Sequence, residues 1–184
     1  MPEVRQHVLD QGHQKGKKVT KREPLRTIHS KDRTELMWKP PQSESDRKKV
    51  LFICTHNSIR SQMAEGFLNH LFSDRYEAFS AGTRPDKVHP LAIDVMAEVG
   101  VDISQQHTKS IEEMLDHYFD IVVTVCDSAR EECPLYPGGT ELIHHDFEDP
   151  ASYDGPVEER IERFRRVRDE IRAWIMQRFG ERAK

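Results

Sequence analysis

From residue 50 onward, short apolar runs alternate with segments of helical periodicity, and this alternation restricts the fold of the 184-residue chain more than any other feature. The run at 50–53 is typical of a buried parallel strand. Further strands are predicted at 76–80, at 121–125 and from 141 onward. Because strands that alternate with helices form parallel sheets, we predict an α/β fold: a small four-stranded parallel sheet with helices on both faces.

The spacing of apolar residues predicts the helices between these strands. One helix places Met63, Phe67 and Leu71 on one face, a second covers 90–99 and ends at Gly100, and the last covers 157–179. Ser110, followed by Glu113, resembles the capping box of a further short helix.

The first 49 residues differ in composition from the rest of the chain. They hold 13 Lys and Arg against 7 Asp and Glu, a net charge of +6, whereas residues 50–184 hold 15 against 25, a net charge of −10. The segment has only scattered apolar residues, which cannot offset the entropy lost on ordering. We therefore predict a disordered basic N-terminal extension at 1–48 and one domain at 49–184. A solvated tail is favoured over nucleic-acid binding.

The composition also excludes several classes of protein. No apolar run is long enough for a transmembrane helix, and the N-terminus lacks the apolar region of a secretory signal. Three Cys residues cannot form a disulfide scaffold, and their odd number argues against a purely structural set. We therefore expect a cytoplasmic protein that uses its Cys residues for chemistry or for metal binding.

The loop after the first strand has the composition of an anion site. It reads Cys54, Thr55, His56, Asn57, Ser58, Ile59, Arg60, Ser61, between a buried strand and a helix. The backbone N–H groups of residues 55–60 that point inward, together with the helix N-terminus, favour the binding of an oxyanion in this loop. They should also lower the pKa of Cys54. The planar fork of Arg60 can clamp the same anion, and the Ser61 hydroxyl can support the thiolate. The alternative is a buried structural Cys and a surface Arg.

The segment VLFICTHNSIRSQMAEG at 50–66 resembles the active-site loop of the low-molecular-weight tyrosine phosphatase superfamily. Its ending is closer to the thioredoxin-coupled arsenate reductase branch, and the similarity covers about residues 49–180. His56 stands where the family usually has glycine, and Ile59 where a second cysteine is common. The resemblance implies a low-molecular-weight phosphatase-like fold with Cys54 as the nucleophile.

Further residues take roles that the resemblance implies. Asp149, in an Asp-Pro pair with Pro150, matches the general acid that protonates the leaving oxygen. An Asp-Pro pair is also an ordinary turn signal. Ala151 follows, as in the reductases, where the phosphatases usually carry an aromatic residue.

Cys126 and Cys133 are the remaining thiols, and reductases of this branch carry a similarly spaced pair. Reduction of As(V) to As(III) needs two electrons, which two thiols supply on forming a disulfide. If residues 127–133 are helical, the two Cα atoms lie roughly 10 Å apart. A disulfide needs about 7 Å or less, so the segment would have to unwind. Two buried structural Cys residues, or a zinc site, are the alternatives.

The resulting hypothesis is an arsenate reductase that works by a three-cysteine relay through Cys54, Cys126 and Cys133. We expect arsenate as the substrate with phosphate as its analogue, a thioredoxin-like dithiol protein as the reductant, no bound cofactor or metal, and a monomer that does not bind membranes. A phosphomonoesterase that uses Cys54, Arg60 and Asp149 is the nearest alternative. A non-catalytic oxyanion or redox sensor is another.

Some related reductases bind potassium beside the loop. Three of the positions match Asn57, Glu65 and Ser80, but the fourth, an aspartate in those proteins, falls at Lys109. An ammonium group would fill or repel a cation site, so we expect no bound potassium.

Overall fold

The computed structural model describes residues 47–132 and 139–180 of the chain. In chain order the elements are β1 (Lys48–Cys54), α1 (Arg60–Leu71), β2 (Tyr76–Gly82), α2 (Pro90–Glu98), β3 (Phe119–Thr124), α3 (Asp127–Glu132), β4 (Gly139–His144) and α4 (Val157–Gly180). Two short 3₁₀ turns cover Glu112–Met114 and Pro150–Ser152. Residues 1–46 of the predicted extension at 1–48, and Cys133, lie outside the described residues.

The four strands form one parallel sheet in the order β2-β1-β3-β4. The predicted sheet is therefore confirmed. Val50, Leu51, Phe52 and Ile53 of β1 are all fully buried. Because successive side chains of a strand point to opposite faces, helices and loops must cover both faces of the sheet.

The predicted ends of the strands and helices lie within two residues of the observed ones. Gly100 has φ +78° just after α2, as the end of that helix requires. The Ser110 N–H donates to the Glu113 carboxylate and the Ser110 hydroxyl accepts from the Glu112 N–H, which starts the first 3₁₀ turn. β1 begins at Lys48, and β3 ends at Thr124 rather than Val125.

The core lies between the sheet and its helices. Helix α1 packs against β2 and α4, and α2 packs against α4. Phe52 of β1 and Phe179 of α4 meet edge to face at 6.3 Å, and both are buried. Among the described residues, no helix has the length and apolarity that crossing a membrane requires.

The order of the strands in the sheet indicates where a ligand would bind. β1 connects through α1 to β2 on one side, while the next crossover leads to β3 on the other side of β1. The connections thus diverge at the carboxyl ends of β1 and β3. Ligands of open α/β sheets bind at such a point.

Candidate active site

The loop between β1 and α1 is held by Asn57, which is fully buried and has φ +50°. Its backbone N–H donates to Cys54 Sγ at 3.1 Å. Its side-chain amide donates to the hydroxyls of Ser61 at 2.9 Å and Ser80 at 2.8 Å, and its carbonyl oxygen accepts from the Lys109 N–H at 2.7 Å. One side chain therefore joins the loop to α1, to β2 and to the segment before the first 3₁₀ turn.

Gly82, at the end of β2, lets the sheet approach this loop closely. A Cβ atom there would lie 2.7 Å from the Thr55 carbonyl oxygen and 2.9 Å from the Asn57 backbone nitrogen. Both neighbours are backbone atoms of the loop, so a larger residue would displace the loop itself. The strand predicted at 76–80 did not include Gly82.

Cys54 is buried at the end of β1, and its Sγ lies 2.9 Å from Ser61 Oγ. Burial raises the pKa of the Cys54 thiol, and the neighbouring Cys126 acts in the same direction. The hydrogen bonds from Ser61 and the charge of Arg60 lower the pKa, but by less than burial raises it. The expectation of a lowered pKa is therefore wrong, because desolvation of the thiolate outweighs its hydrogen bonds.

Arg60 joins this loop to the segment after β4. Its Nη1 donates to the Phe147 carbonyl oxygen at 3.0 Å, and its Nη2 donates to Asp149 Oδ2 at 3.0 Å. The second carboxylate oxygen of Asp149 accepts from the Ala151 N–H at 3.0 Å, which caps the second 3₁₀ turn. Two hydrogen bonds thus fix the carboxylate of Asp149 beside the guanidinium.

A small cavity opens at this place, lined by Cys54, His56, Ser58, Ile59, Arg60 and Asp149. The structure therefore brings the predicted nucleophile, clamp and acid to one cavity. The hydroxyl of Ser58 donates to the Lys87 carbonyl oxygen at 2.7 Å, which anchors the outer part of the loop. His56 is exposed on the loop.

Cys126 is a second buried, free thiol next to the loop. Its Sγ lies 3.4 Å from Thr55 Oγ1, and it accepts from the Ala129 N–H at 3.4 Å. Neighbouring β1 and β3 produce this arrangement, since Ile53 pairs with Thr124 and the Val125 N–H donates to the Ile53 carbonyl oxygen. Residues 127–132 form α3, so the segment that follows Cys126 is helical. The predicted unwinding of this segment depends on that helix.

Two of the four residues compared above with a potassium site, Glu65 and Lys109, form an ion pair. Lys109 Nζ lies 3.5 Å from Glu65 Oε2, and the Ser80 hydroxyl donates to the same carboxylate. Burial raises the pKa of Glu65, while the Lys109 ammonium opposes that rise. The ammonium group lies where a cation would need the Glu65 carboxylate, so these residues do not fit a potassium ion.

His89 is a residue near the site that sequence reasoning missed. Its ring Nδ1 accepts from the Leu91 N–H and caps α2, and its backbone N–H donates to the Ser58 carbonyl oxygen. Burial lowers the pKa of His89, Arg160 lowers it further, and the carboxylate of Asp149 raises it. The sequence feature that indicates His89 as a helix cap is the pair His89-Pro90, because Pro favours the first position of a helix.

Comparison with known proteins agrees with this geometry. Residues 49–182 match the family described as low molecular weight phosphotyrosine protein phosphatase. The chain belongs to this family, which is a family of enzymes.

Among its relatives, an arsenate reductase of Shouchella clausii is 47% identical over 135 residues, covering 73% of this chain and 96% of the relative. A solved structure of an arsenate reductase in the phosphate binding state is 34% identical with a TM-score of 0.63, covering 72% of this chain and 97% of that one. A thioredoxin-dependent arsenate reductase of Corynebacterium glutamicum is 31% identical with a TM-score of 0.50, covering 75% of this chain and 65% of that one.

Proposed function

We propose that this protein is an arsenate reductase that detoxifies arsenic, with Cys54 as the nucleophile and with Cys126 and Cys133 as the redox pair. The observation that carries the proposal is the contact between Cys126 and Thr55, which places a second free thiol against the loop that begins at Cys54. Hydrolysis of a phosphate ester needs only one thiol. The names of the relatives at 41–47% identity support the same reaction.

Arsenate enters the cavity as an oxyanion, and the backbone N–H groups of the loop at 55–60 surround it. The fork of Arg60 turns to two of its oxygens. Because Arg60 is paired with Asp149 in the free protein, the same movement brings the carboxyl group of Asp149 beside the arsenic. The site binds an anion despite the −10 charge of residues 50–184, since local dipoles and one guanidinium dominate at this distance.

The first step joins sulfur to arsenic. The Cys54 thiol and HAsO₄²⁻ form a Cys54–S–AsO₃²⁻ adduct and one water molecule. The carboxylate of Asp149 takes the proton of the Cys54 thiol and gives it to the departing oxygen. The hydroxyl of Ser61 stabilises the sulfur as it becomes a thiolate.

The second step transfers the electrons. The Cys126 sulfur attacks the Cys54 sulfur, the S–As bond breaks, and its electron pair stays on arsenic, which leaves as As(III). The proton of the Cys126 thiol goes to the arsenite. Two thiols have then supplied two electrons, and a Cys54–Cys126 disulfide remains.

The third step frees the nucleophile. Cys133 attacks Cys126, so the disulfide moves to Cys126–Cys133 and the Cys54 thiol returns. A thioredoxin-like dithiol then reduces that disulfide by thiol exchange. The thioredoxin dependence of the Corynebacterium glutamicum protein supports this class of reductant.

We place all of this chemistry in a domain at 49–184, preceded by a basic extension at 1–48. We infer a cytoplasmic monomer that holds no metal or organic cofactor. The reducing cytoplasm would keep the three thiols ready for turnover.

Weak hydrolysis of phosphate esters is a second candidate activity. It is favoured by the shared cavity of Cys54, Arg60 and Asp149, which suffices for a covalent phosphoenzyme. Ala151 stands where an aromatic residue would help to hold an aryl ester. We therefore expect this activity to be the minor one.

Three variants, Cys54→Ser, Cys126→Ser and Cys133→Ser, separate these activities. In the relay all three abolish multiple turnover of arsenate with thioredoxin, while only Cys54→Ser abolishes ester hydrolysis. Full turnover of arsenate by Cys133→Ser would contradict the relay. Efficient ester hydrolysis by a protein that does not reduce arsenate would favour the phosphatase.

A further inference from the structure

The imidazole of His144 bridges two residues on either side of Cys126. Its Nδ1 lies 2.9 Å from Thr124 Oγ1, and its Nε2 lies 3.0 Å from Asp127 Oδ1. Thr124 is the last residue of β3 and Asp127 is the first residue of α3. The turn that carries the thiol is therefore tied at both ends to one side chain of β4.

The sheet register places His144 there. His144 pairs directly with Thr124 across β3 and β4, so the two side chains lie on the same face. A carboxylate only accepts hydrogen bonds, so the ring must carry a hydrogen on Nε2 toward Asp127. The other nitrogen shares a hydrogen bond with the Thr124 hydroxyl, which also lies 3.5 Å from the Ile143 carbonyl oxygen.

Asp127 has a second tie to the same strand end. Its backbone N–H donates to Asp146 Oδ1 at 3.2 Å. The side chain of Asp127 is 70% exposed and that of His144 is 26% exposed, so each contact is individually modest. Together they fix both the backbone and the side chain of the residue after Cys126.

We propose that His144 is a positioning residue for Cys126: it acts through Thr124 and Asp127 to hold the start of α3 closed over the buried thiol. The consequence for turnover rests on the proposed function, because the transfer of the disulfide from Cys126 to Cys133 needs this segment to open. Loss of the bridge makes opening more frequent, and Cys126 then reacts more readily with a small thiol reagent.

The reactivity of the thiols can be measured separately and without arsenate. The reduced full-length protein is treated with iodoacetamide, quenched over time and digested with trypsin. Arg130 lies between Cys126 and Cys133, so the two thiols fall in different peptides, and Cys54 falls in a third. Mass spectrometry then gives one alkylation rate for each of Cys54 and Cys126 in the same sample.

His144→Ala is expected to raise the alkylation rate of Cys126 about fivefold or more, because two modest hydrogen bonds are lost, with the rate of Cys54 unchanged. His144→Gln can donate to Asp127 and accept from Thr124, so it is expected to restore the rate of Cys126 to within about twofold of wild type. His70→Ala, on the exposed side of α1, is the matched control and leaves both rates unchanged.

A double-mutant cycle tests whether His144 acts through Asp127. Asp127→Ala alone should raise the rate of Cys126, and the double variant should add little, because both changes break the same contact. Additive effects would overturn the bridge, and so would an unchanged rate of Cys126 in His144→Ala. Equal increases at Cys54 and Cys126 would indicate general loosening and would also overturn it.

The same variants separate this inference from the proposed function. If the wild-type protein does not reduce arsenate while His144→Ala still exposes Cys126 selectively, the proposed reaction fails and the role of His144 stands. If arsenate is reduced and the alkylation rates do not change in His144→Ala, the proposed reaction stands and the role of His144 fails.

Discussion

The guanidinium of Arg60 and the carboxylate of Asp149 lie 3.0 Å apart across the cavity that contains Cys54. The group that should hold the anion is thus paired with the group that should protonate its leaving oxygen. When an oxyanion binds the guanidinium, the pairing of Arg60 with Asp149 weakens, and the carboxyl group is left beside the leaving oxygen. Binding and protonation are coupled through this pair.

Asp149→Asn tests the acid. The amide has one oxygen, which can keep only one of the two contacts, to Arg60 or to Ala151, and it cannot supply a proton. We therefore expect kcat for arsenate to fall about a hundredfold or more. The steady-state kinetics of arsenate reduction check this. Asp154→Asn, at an exposed position a few residues on, is the control and should behave as wild type. An unchanged kcat in Asp149→Asn would contradict the assignment.

Ser61→Ala tests the support of the nucleophile. The hydroxyl of Ser61 lowers the pKa of Cys54 against the effect of burial, so its removal should move the pKa of Cys54 further up. The pH profile of Cys54 alkylation should shift to higher pH, and the rate at neutral pH should fall. Ser104→Ala, which is exposed, should leave the profile in place. A shift to lower pH in Ser61→Ala would contradict the account.

Gly82→Ala tests the close approach of β2 to the loop. The new methyl group would meet the backbone of Thr55 and Asn57, so the loop should shift and kcat/KM for arsenate should fall about a hundredfold. Gly180→Ala places a methyl group in ordinary contact with Phe72 and is the matched control. Kinetics together with urea unfolding distinguish a displaced loop from an unfolded protein. Wild-type kcat/KM in Gly82→Ala would show that the loop tolerates the contact.

Because Lys109 pairs with Glu65, we expect potassium to have no specific effect on the rate of arsenate reduction. Arsenate reduction should proceed equally in potassium and sodium chloride at the same ionic strength, because the ammonium already neutralises Glu65. Lys109→Ala should lower the free energy of unfolding by about 1–3 kcal/mol, since a buried carboxylate loses its partner. Lys109→Arg keeps the charge and serves as control. A rate that rises steeply with potassium but not with sodium would contradict this assignment.

Because the pKa of His89 is lowered in the folded protein, we expect the free energy of unfolding to fall in acid. Burial holds the pKa of His89 below its unfolded value of about 6.5, so below that pH the unfolded chain binds a proton that the folded protein resists. The contribution is present above about pH 6.5 and is lost as the pH falls through the lowered pKa. His89→Asn retains a capping acceptor that does not titrate, so the urea midpoint should fall less between about pH 7.5 and about pH 5. An equal fall in variant and wild type would contradict the role of His89.

The sequence predicted the sheet because each strand is an apolar run flanked by a helix with clear periodicity. It also predicted that Cys54 and Arg60 would share a loop, since they are close in the chain. The pairing of Arg60 with Asp149, 89 residues apart, and the approach of Gly82 to Thr55 depend on tertiary packing and leave no local signal. The pKa of Cys54 was predicted in the wrong direction because the sequence indicates hydrogen-bond donors but not the extent of burial.

The central claim is that three thiols reduce arsenate, and one measurement tests it most directly: arsenate-dependent oxidation of NADPH in the presence of thioredoxin and thioredoxin reductase. We predict sustained oxidation with the wild-type protein and none with Cys126→Ser, while both hydrolyse a phosphate ester at the same low rate. Absence of NADPH oxidation with the wild-type protein, or sustained oxidation with Cys126→Ser, would contradict it.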